Sequence, residues 1–163
     1  NVKKIIKKQI KINDSCFNLL DQLSESINNL CGYRNSPRSG DPLPLINFGP
    51  CGIFANEFYR QWDLRFRNKI KIAALMTKHP SQCVHLVIKL QKGTLFDGGK
   101  GIHNVDTYKE KDLEMVVMEK YDLEVLDKYA WGLIRPYPNV NRGFSKDKMS
   151  ALIAHYLDDI YKM

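Results

Sequence analysis

The sequence predicts an α+β fold, with helices toward both ends and a small antiparallel sheet between them. Three patterns carry this. Cys16, Leu20, Leu23, Ile27 and Leu30 step by three and four, the spacing of one helix face. Met149, Leu152, Ile153, Tyr156, Leu157 and Ile160 do the same near the other end. Between them, residues 69–76 and 84–90 are rich in aliphatic and β-branched residues, and "QKGT" (Gln91 to Thr94) has the composition of a hairpin turn. With 163 residues, 44% of them apolar and 26% charged, the chain fits one domain able to bury a real core.

Each element follows in order. Residues 1–12 are basic with interleaved Ile5, Ile6, Ile10 and Ile12, which suits either a helix or a loose arm. Asp14 or Ser15 can cap the first helix, which Cys31 ends, and Gly32 suits the left-handed residue just past it. Residues 32–50 hold Pro37, Gly40, Pro42, Pro44, Gly49 and Pro50 and read as one long loop, a length often reserved for function. A second helix begins near Cys51, with Ile53, Phe54, Phe58 and Trp62 at helical spacing. These aromatic residues read as core. A strand from Lys69 to Met76 precedes another from Val84 to Leu90. Alternation there sends Val84, Leu86 and Ile88 to one face and His85, Val87 and Lys89 to the other. A short third strand, Thr94 to Asp97, returns antiparallel, and "DGGKG" then breaks the chain. Thr107 with Glu110 forms a capping box for an acidic helix up to about Lys120. Strand competes there, because Met115 to Met118 is β-prone. Asp122 can cap a short helix to Trp131, "RPYPN" is a loop, and Ser145 caps the last helix. No internal repeat or low-complexity segment interrupts the order.

The net charge of +7 is unevenly spread. Residues 1–11 carry five lysines and no acid, and residues 60–100 carry nine Lys or Arg against Asp63 and Asp97. Residues 105–128 reverse this, with eight acids against four lysines. A basic surface can attract nucleic acid or an acidic protein, so a non-enzymatic binding module is one functional class to weigh. No apolar run approaches the roughly 18 residues of a membrane span. The chain begins at Asn1 and not at a methionine, which leaves an upstream segment open. The spacing of Cys16, Cys31, Cys51 and Cys83 matches no zinc finger and no disulfide framework. That favours a reduced, cytoplasmic chain or one delivered into a host cell. Cys16 lies on the apolar helix stripe and is expected in the core.

Cys51 lies elsewhere, in "NFGPCGIFANEFYRQW", between Pro50 and Gly52 where a helix starts. A sulfur at a first helical turn meets the positive end of the helix dipole, which favours its ionised form. The backbone N–H groups there can also hold a developing oxyanion. Gly52 would let a substrate carbonyl approach that backbone, and Asn47 is the nearest side-chain amide. A nucleophilic cysteine needs a base, and the base needs an orienting group. His85, in "CVHLVIKL", sits on a rigid strand, and Asp97, in "TLFDGG", follows across the hairpin where its carboxylate can set the imidazole's tautomer. His103, in "GKGIHN", is a second candidate base. His79 and His155 have no partner that the sequence identifies. Cys83 and His85 are two apart on one strand, so both would point the same way; with Cys51, Asp97 or His103 they would make an alternative zinc set. Tyr33, Arg38 and Tyr137, in the long loops, could shape a cleft.

A cysteine at a helix start, a histidine on a following strand and an aspartate on the next strand resembles the transglutaminase-like branch of the papain-like cysteine protease superfamily. Here these are Cys51 within "GPCGIFANEFY", His85 within "VHLVI" and Asp97 within "GTLFDGGKGI". The resemblance covers about residues 47–102. It implies a thiol hydrolase or acyltransferase acting on an amide, peptide or thioester bond through a Cys-His-Asp triad, without a cofactor. It also implies a protein or peptide substrate, in the manner of small bacterial or phage effector-type peptidases and deamidases. The chain departs from the pattern at two points. No Gln stands close ahead of Cys51, and Ile53 and Phe54 occupy the place where a tryptophan is common.

Overall fold

The computed structural model describes residues 5–78, 83–111, 113–118, 136 and 140–163. Among these residues, three helices pack against one face of a five-stranded antiparallel sheet, so the α+β expectation holds. Helix α1 is Asp14–Cys31, α2 is Cys51–Arg65 and α3 is Lys146–Tyr161. The strands are β3 (Lys71–Thr77), β4 (Cys83–Gln91), β5 (Thr94–Asp97), β6 (Gly101–Asn104) and β7 (Leu113–Met118), in the sheet order β6-β5-β4-β3-β7. A separate hairpin of β1 (Tyr33–Asn35) and β2 (Pro42–Pro44) lies within what reads from sequence as loop. Residues 122–131, "RPYPN" apart from Pro136, and His79 fall outside the described residues.

The helices begin and end for local reasons. Asn13 caps α1, one residue earlier than expected: it is extended and its side-chain oxygen accepts from Cys16 N–H at 3.2 Å. Gly32 ends the helix with φ +85°, as its lack of a Cβ permits. Ser145 caps α3 through Lys148 N–H at 3.2 Å. The described part of the arm, residues 5–12, is not helical. Residues 5–12 run along the molecule, with Lys8 N–H donating to the Arg65 carbonyl at 2.9 Å and Arg67 N–H donating to the Lys8 carbonyl at 2.7 Å.

The acidic helix expected from Thr107 does not form. Val105–Lys111 is a 3₁₀ turn, and Leu113–Met118 pairs with β3. The edge of β3 offers a full ladder, and the β-branched Val116 and Val117 suit a pleated surface better than a helix.

The sheet separates two apolar layers. Ile72, Ala74, Met76, Leu86, Ile88 and Phe96 join the helices in the main core, which includes Cys16. Ala73, Leu75, Val87, Leu95 and Tyr108 form a smaller cluster on the opposite face. Phe54, Phe58 and Trp62 of α2 and Phe66 just past its end contact one another in turn, and Phe58 also meets Phe96 of β5 with ring centroids 5.1 Å apart. This stack fixes the register between α2 and β5. A buried network adds direction between α2 and α3: Gln61 and Ser150 both donate to Glu57, and Arg60 pairs with it. Burial alone would raise the Glu57 carboxyl, but these bonds hold it down at about 2. Among the described residues, no helix is long and apolar enough to cross a membrane.

Candidate active site

Cys51 is the first residue of α2, with Pro50 at the cap position. The intrahelical ladder starts with Phe54 N–H donating to the Pro50 carbonyl at 2.9 Å, so the amides ahead of it lie outside the ladder. Cys51 and Gly52 are both buried, against the sheet and not on an open surface.

His85 stands on β4 opposite Leu75 of β3, and therefore on the face of the smaller cluster. The pairing of Ile88 with Phe96 carries on to place Asp97 diagonally across from His85 on that face. The His85 Nε2–H donates to Asp97 Oδ2 at 3.0 Å. That bond settles the tautomer, so that in the neutral ring Nδ1 is the free acceptor; Cys51 lies within hydrogen-bond reach of the His85 ring. Burial would lower the imidazolium's pKa. The hydrogen bonds to Asp97 and Cys51 more than offset this and raise it to about 9.

Asp97 is 2% exposed, and such a carboxylate keeps its charge only if every lone pair is used. Burial disfavours the charge, but the bond to His85 and backbone donors keep the carboxyl below its ordinary value. Its Oδ1 accepts from Gly99 N–H at 2.9 Å and from Lys100 N–H at 2.5 Å. The residue is thus a turn former and an imidazole partner at once. The turn is tied down by α1: Ser24 Oγ donates to the Gly98 carbonyl and Asn28 Nδ2 to the Gly99 carbonyl, both at 2.9 Å. Ile102 N–H donates to Asp21 Oδ1 at 2.8 Å. Gly101 takes φ +74°, where a side chain would also meet Asp21.

Asn47 ends a 3₁₀ turn, Leu45–Asn47, and lines a cleft of about 240 Å³ beside His85. Leu43, Pro44, Phe48, Leu75, Val84 and Leu113 make much of its wall apolar, while Lys100 and Tyr108 bring polar groups. The Asn47 Oδ1 is buried with no hydrogen-bond partner. Gly99 lies so close that an added Cβ would fall 2.4 Å from Asn47 Nδ2 and 2.8 Å from Pro44 Cβ.

Two expectations need correction. Val84 does not share a face with Leu86 and Ile88, and Cys83 does not point the same way as His85. The β3–β4 register shifts between Leu75 and Met76: His85 stays opposite Leu75, while Cys83 stands opposite Met76. Val84 is the extra residue, 42% exposed, and Cys83 turns into the main core. Among the described residues, no group of three or more His, Cys, Asp or Glu is placed to hold a metal. Burial, together with the nearby Cys51, pushes the Cys83 thiol up to about 12, and burial pushes Cys16 and Cys31 up to about 11. These three stay protonated at neutral pH.

His103 comes to the same carboxylate from β6, with Nε2 4.0 Å from Asp97 Oδ2. Tyr108, which the sequence did not single out, closes the group: its hydroxyl is 2.8 Å from His103 Nε2. Tyr33 is exposed on β1, away from the cleft lining, and His155 is an exposed residue of α3 beside Asp159. Comparison with family models, with characterised proteins and with solved structures returns no match.

Proposed function

We propose that this chain is a cysteine-dependent hydrolase or acyltransferase acting on an amide, peptide or thioester carbonyl, with Cys51, His85 and Asp97 as its triad and a transglutaminase-like, papain-like core. One observation carries the reading: the His85 imidazole bridges a buried carboxylate at 3.0 Å and the sulfur of a cysteine that opens a helix.

In this reading His85 Nδ1 takes the Cys51 proton, and the thiolate attacks the carbonyl carbon, forming a C–S bond and an oxyanion. Backbone N–H groups at the start of α2, at Cys51 and Gly52, with Asn47 beside them, stabilise that oxygen. His85 returns the proton to the leaving amine as the C–N bond breaks. Water or an amine, deprotonated by the same imidazole, then cleaves the thioester. Asp97 holds the ring and balances its charge throughout. The apolar cleft beside His85 supplies a place for the acyl portion of a peptide or protein substrate.

The test is thiol reactivity. Native protein is treated with iodoacetamide near neutral pH and the modified cysteine is mapped by mass spectrometry. Cys51 should be labelled ahead of Cys16, Cys31 and Cys83, and His85→Ala should abolish the preference. Uniform labelling of the four thiols, or labelling unaffected by His85→Ala, overturns the proposal.

A further inference from the structure

We propose that Tyr108 and His103 form a tautomer lock that reserves the Asp97 carboxylate for His85, an inference that rests on reading His85 as the base for Cys51. Asp97 Oδ2 has two imidazole neighbours, His85 Nε2 at 3.0 Å and His103 Nε2 at 4.0 Å. One oxygen facing two potential N–H donors is an ambiguous arrangement unless something decides between them.

The hydrogen bonds decide. His103 Nδ1 lies 2.9 Å from the Gly101 carbonyl, which can only accept, so Nδ1 carries the proton. The neutral ring therefore presents a lone pair at Nε2, and the Tyr108 hydroxyl donates to it at 2.8 Å. In this state His103 neither donates to Asp97 nor carries charge. Protonated at Nε2, it would place a second N–H and a positive charge beside Oδ2, competing with His85 and repelling its imidazolium.

Tyr108 is built to hold this role. Its ring is 5% exposed within the smaller apolar cluster, and Lys100 Nζ sits 5.0 Å from the ring centroid. Burial raises its hydroxyl, which keeps it a donor. Ionisable groups face His103 from several elements: Asp97 on β5, His85 on β4, Lys100 in the glycine turn, and Tyr108 in the 3₁₀ turn. Asp21 of α1 bonds the neighbouring Ile102 amide. Burial lowers the His103 imidazolium's pKa, against the pull of Gly101 and Asp97. Tyr108 and His103 are positioning residues here, acting on the base through Asp97.

The full chain is tested with two readouts. Long-range proton–nitrogen spectra of the imidazoles, taken across pH 5 to about 9 on wild type, should show His103 protonated at Nδ1. In Tyr108→Phe, which keeps the ring and loses the donor, the His103 midpoint should rise by about half a unit to one unit, the effect of one hydrogen bond of ordinary strength. Second, the rate of Cys51 alkylation in Tyr108→Phe relative to wild type should fall roughly threefold to fivefold between pH 8 and pH 6. The added change His103→Gln, which cannot ionise, should restore the ratio. An Nε2–H tautomer of His103 in wild type, an unmoved midpoint, or a double variant that fails to restore the ratio would overturn the lock. The spectra do not involve the thiol, so an unreactive Cys51 with an intact His103 tautomer would count against the triad chemistry alone.

Discussion

Replacing Asp97 by Asn isolates the charge of the buried carboxylate from its shape. The Asn side-chain oxygen can still accept from the Gly99 and Lys100 amides, so the turn survives. The amide nitrogen, however, now faces His85 Nε2. Two donors cannot pair, so the ring is driven to the tautomer with its proton on Nδ1, the atom that in the proposed mechanism receives the Cys51 proton. The size of the loss follows from His85, whose imidazolium pKa is raised from the ordinary 6.5 to about 9, first through Asp97 and then through Cys51, against burial. That rise is worth about 3 kcal/mol at roughly 1.4 kcal/mol per pKa unit, and the ring is buried enough that little of it is screened away. If Asp97 supplies about half, the ion pair loses between roughly tenfold and a hundredfold of its population once the tautomer change is added. The assay is the second-order rate of iodoacetamide alkylation of Cys51 at pH 7, with a denaturation curve on the same preparation to establish that the variant is folded. A folded Asp97→Asn protein that alkylates at the wild-type rate would refute the electrostatic account of the site.

Two further outcomes follow from the same geometry. Because the folded pKa of His85 lies above its unfolded value, its contribution to stability is fully present below about pH 6.5 and is lost as pH rises through about 9. Urea unfolding of wild type should therefore lose stability over that window, by about 3 kcal/mol at most, relative to His85→Gln; parallel curves for the two proteins would contradict it. Gly99→Ala should cost about 1 to 3 kcal/mol, since its Cβ would meet Asn47 and the rigid Pro44 ring at under 3 Å, and an unchanged melting temperature would show that the β2 hairpin yields freely.

Helix periodicity made α1, α2 and α3 legible, because each buries one stripe, and it placed Cys51 at a helix start. The hairpin of β4 and β5 was legible from its turn, and with it the neighbourhood of His85 and Asp97. What escaped depends on partners distant in sequence. At β7 the sequence left helix and strand in competition, and only the open edge of β3 decides its state. The bulge that turns Cys83 inward leaves no mark in "CVHLVIKL", since an extra residue preserves local composition while reversing parity. Tyr108 lies in a segment whose helical capping signal masks it, and its role exists only because β6 brings His103 alongside.

The glycine turn answers one problem, how to keep a charged carboxylate buried and correctly aimed. An unsatisfied buried charge costs several kcal/mol, so Asp97 can remain ionised only where donors are fixed before any substrate arrives. Two amides of its own turn supply Oδ1, and His85 supplies Oδ2. Those amides are in turn held by Ser24 and Asn28 of α1, while the neighbouring Phe96 is clamped by the aromatic stack of α2. The helix that carries the sulfur and the helix that holds the turn therefore grip the same β-hairpin from one side of the sheet. Regular alternation along β4 leaves the imidazole on the other side, facing the cleft. In such an arrangement the spacing of sulfur, ring and carboxylate is set by core packing and not by loop conformation. A change at Asn28, remote from Cys51 in sequence, should therefore act on the site by loosening the turn that aims Asp97.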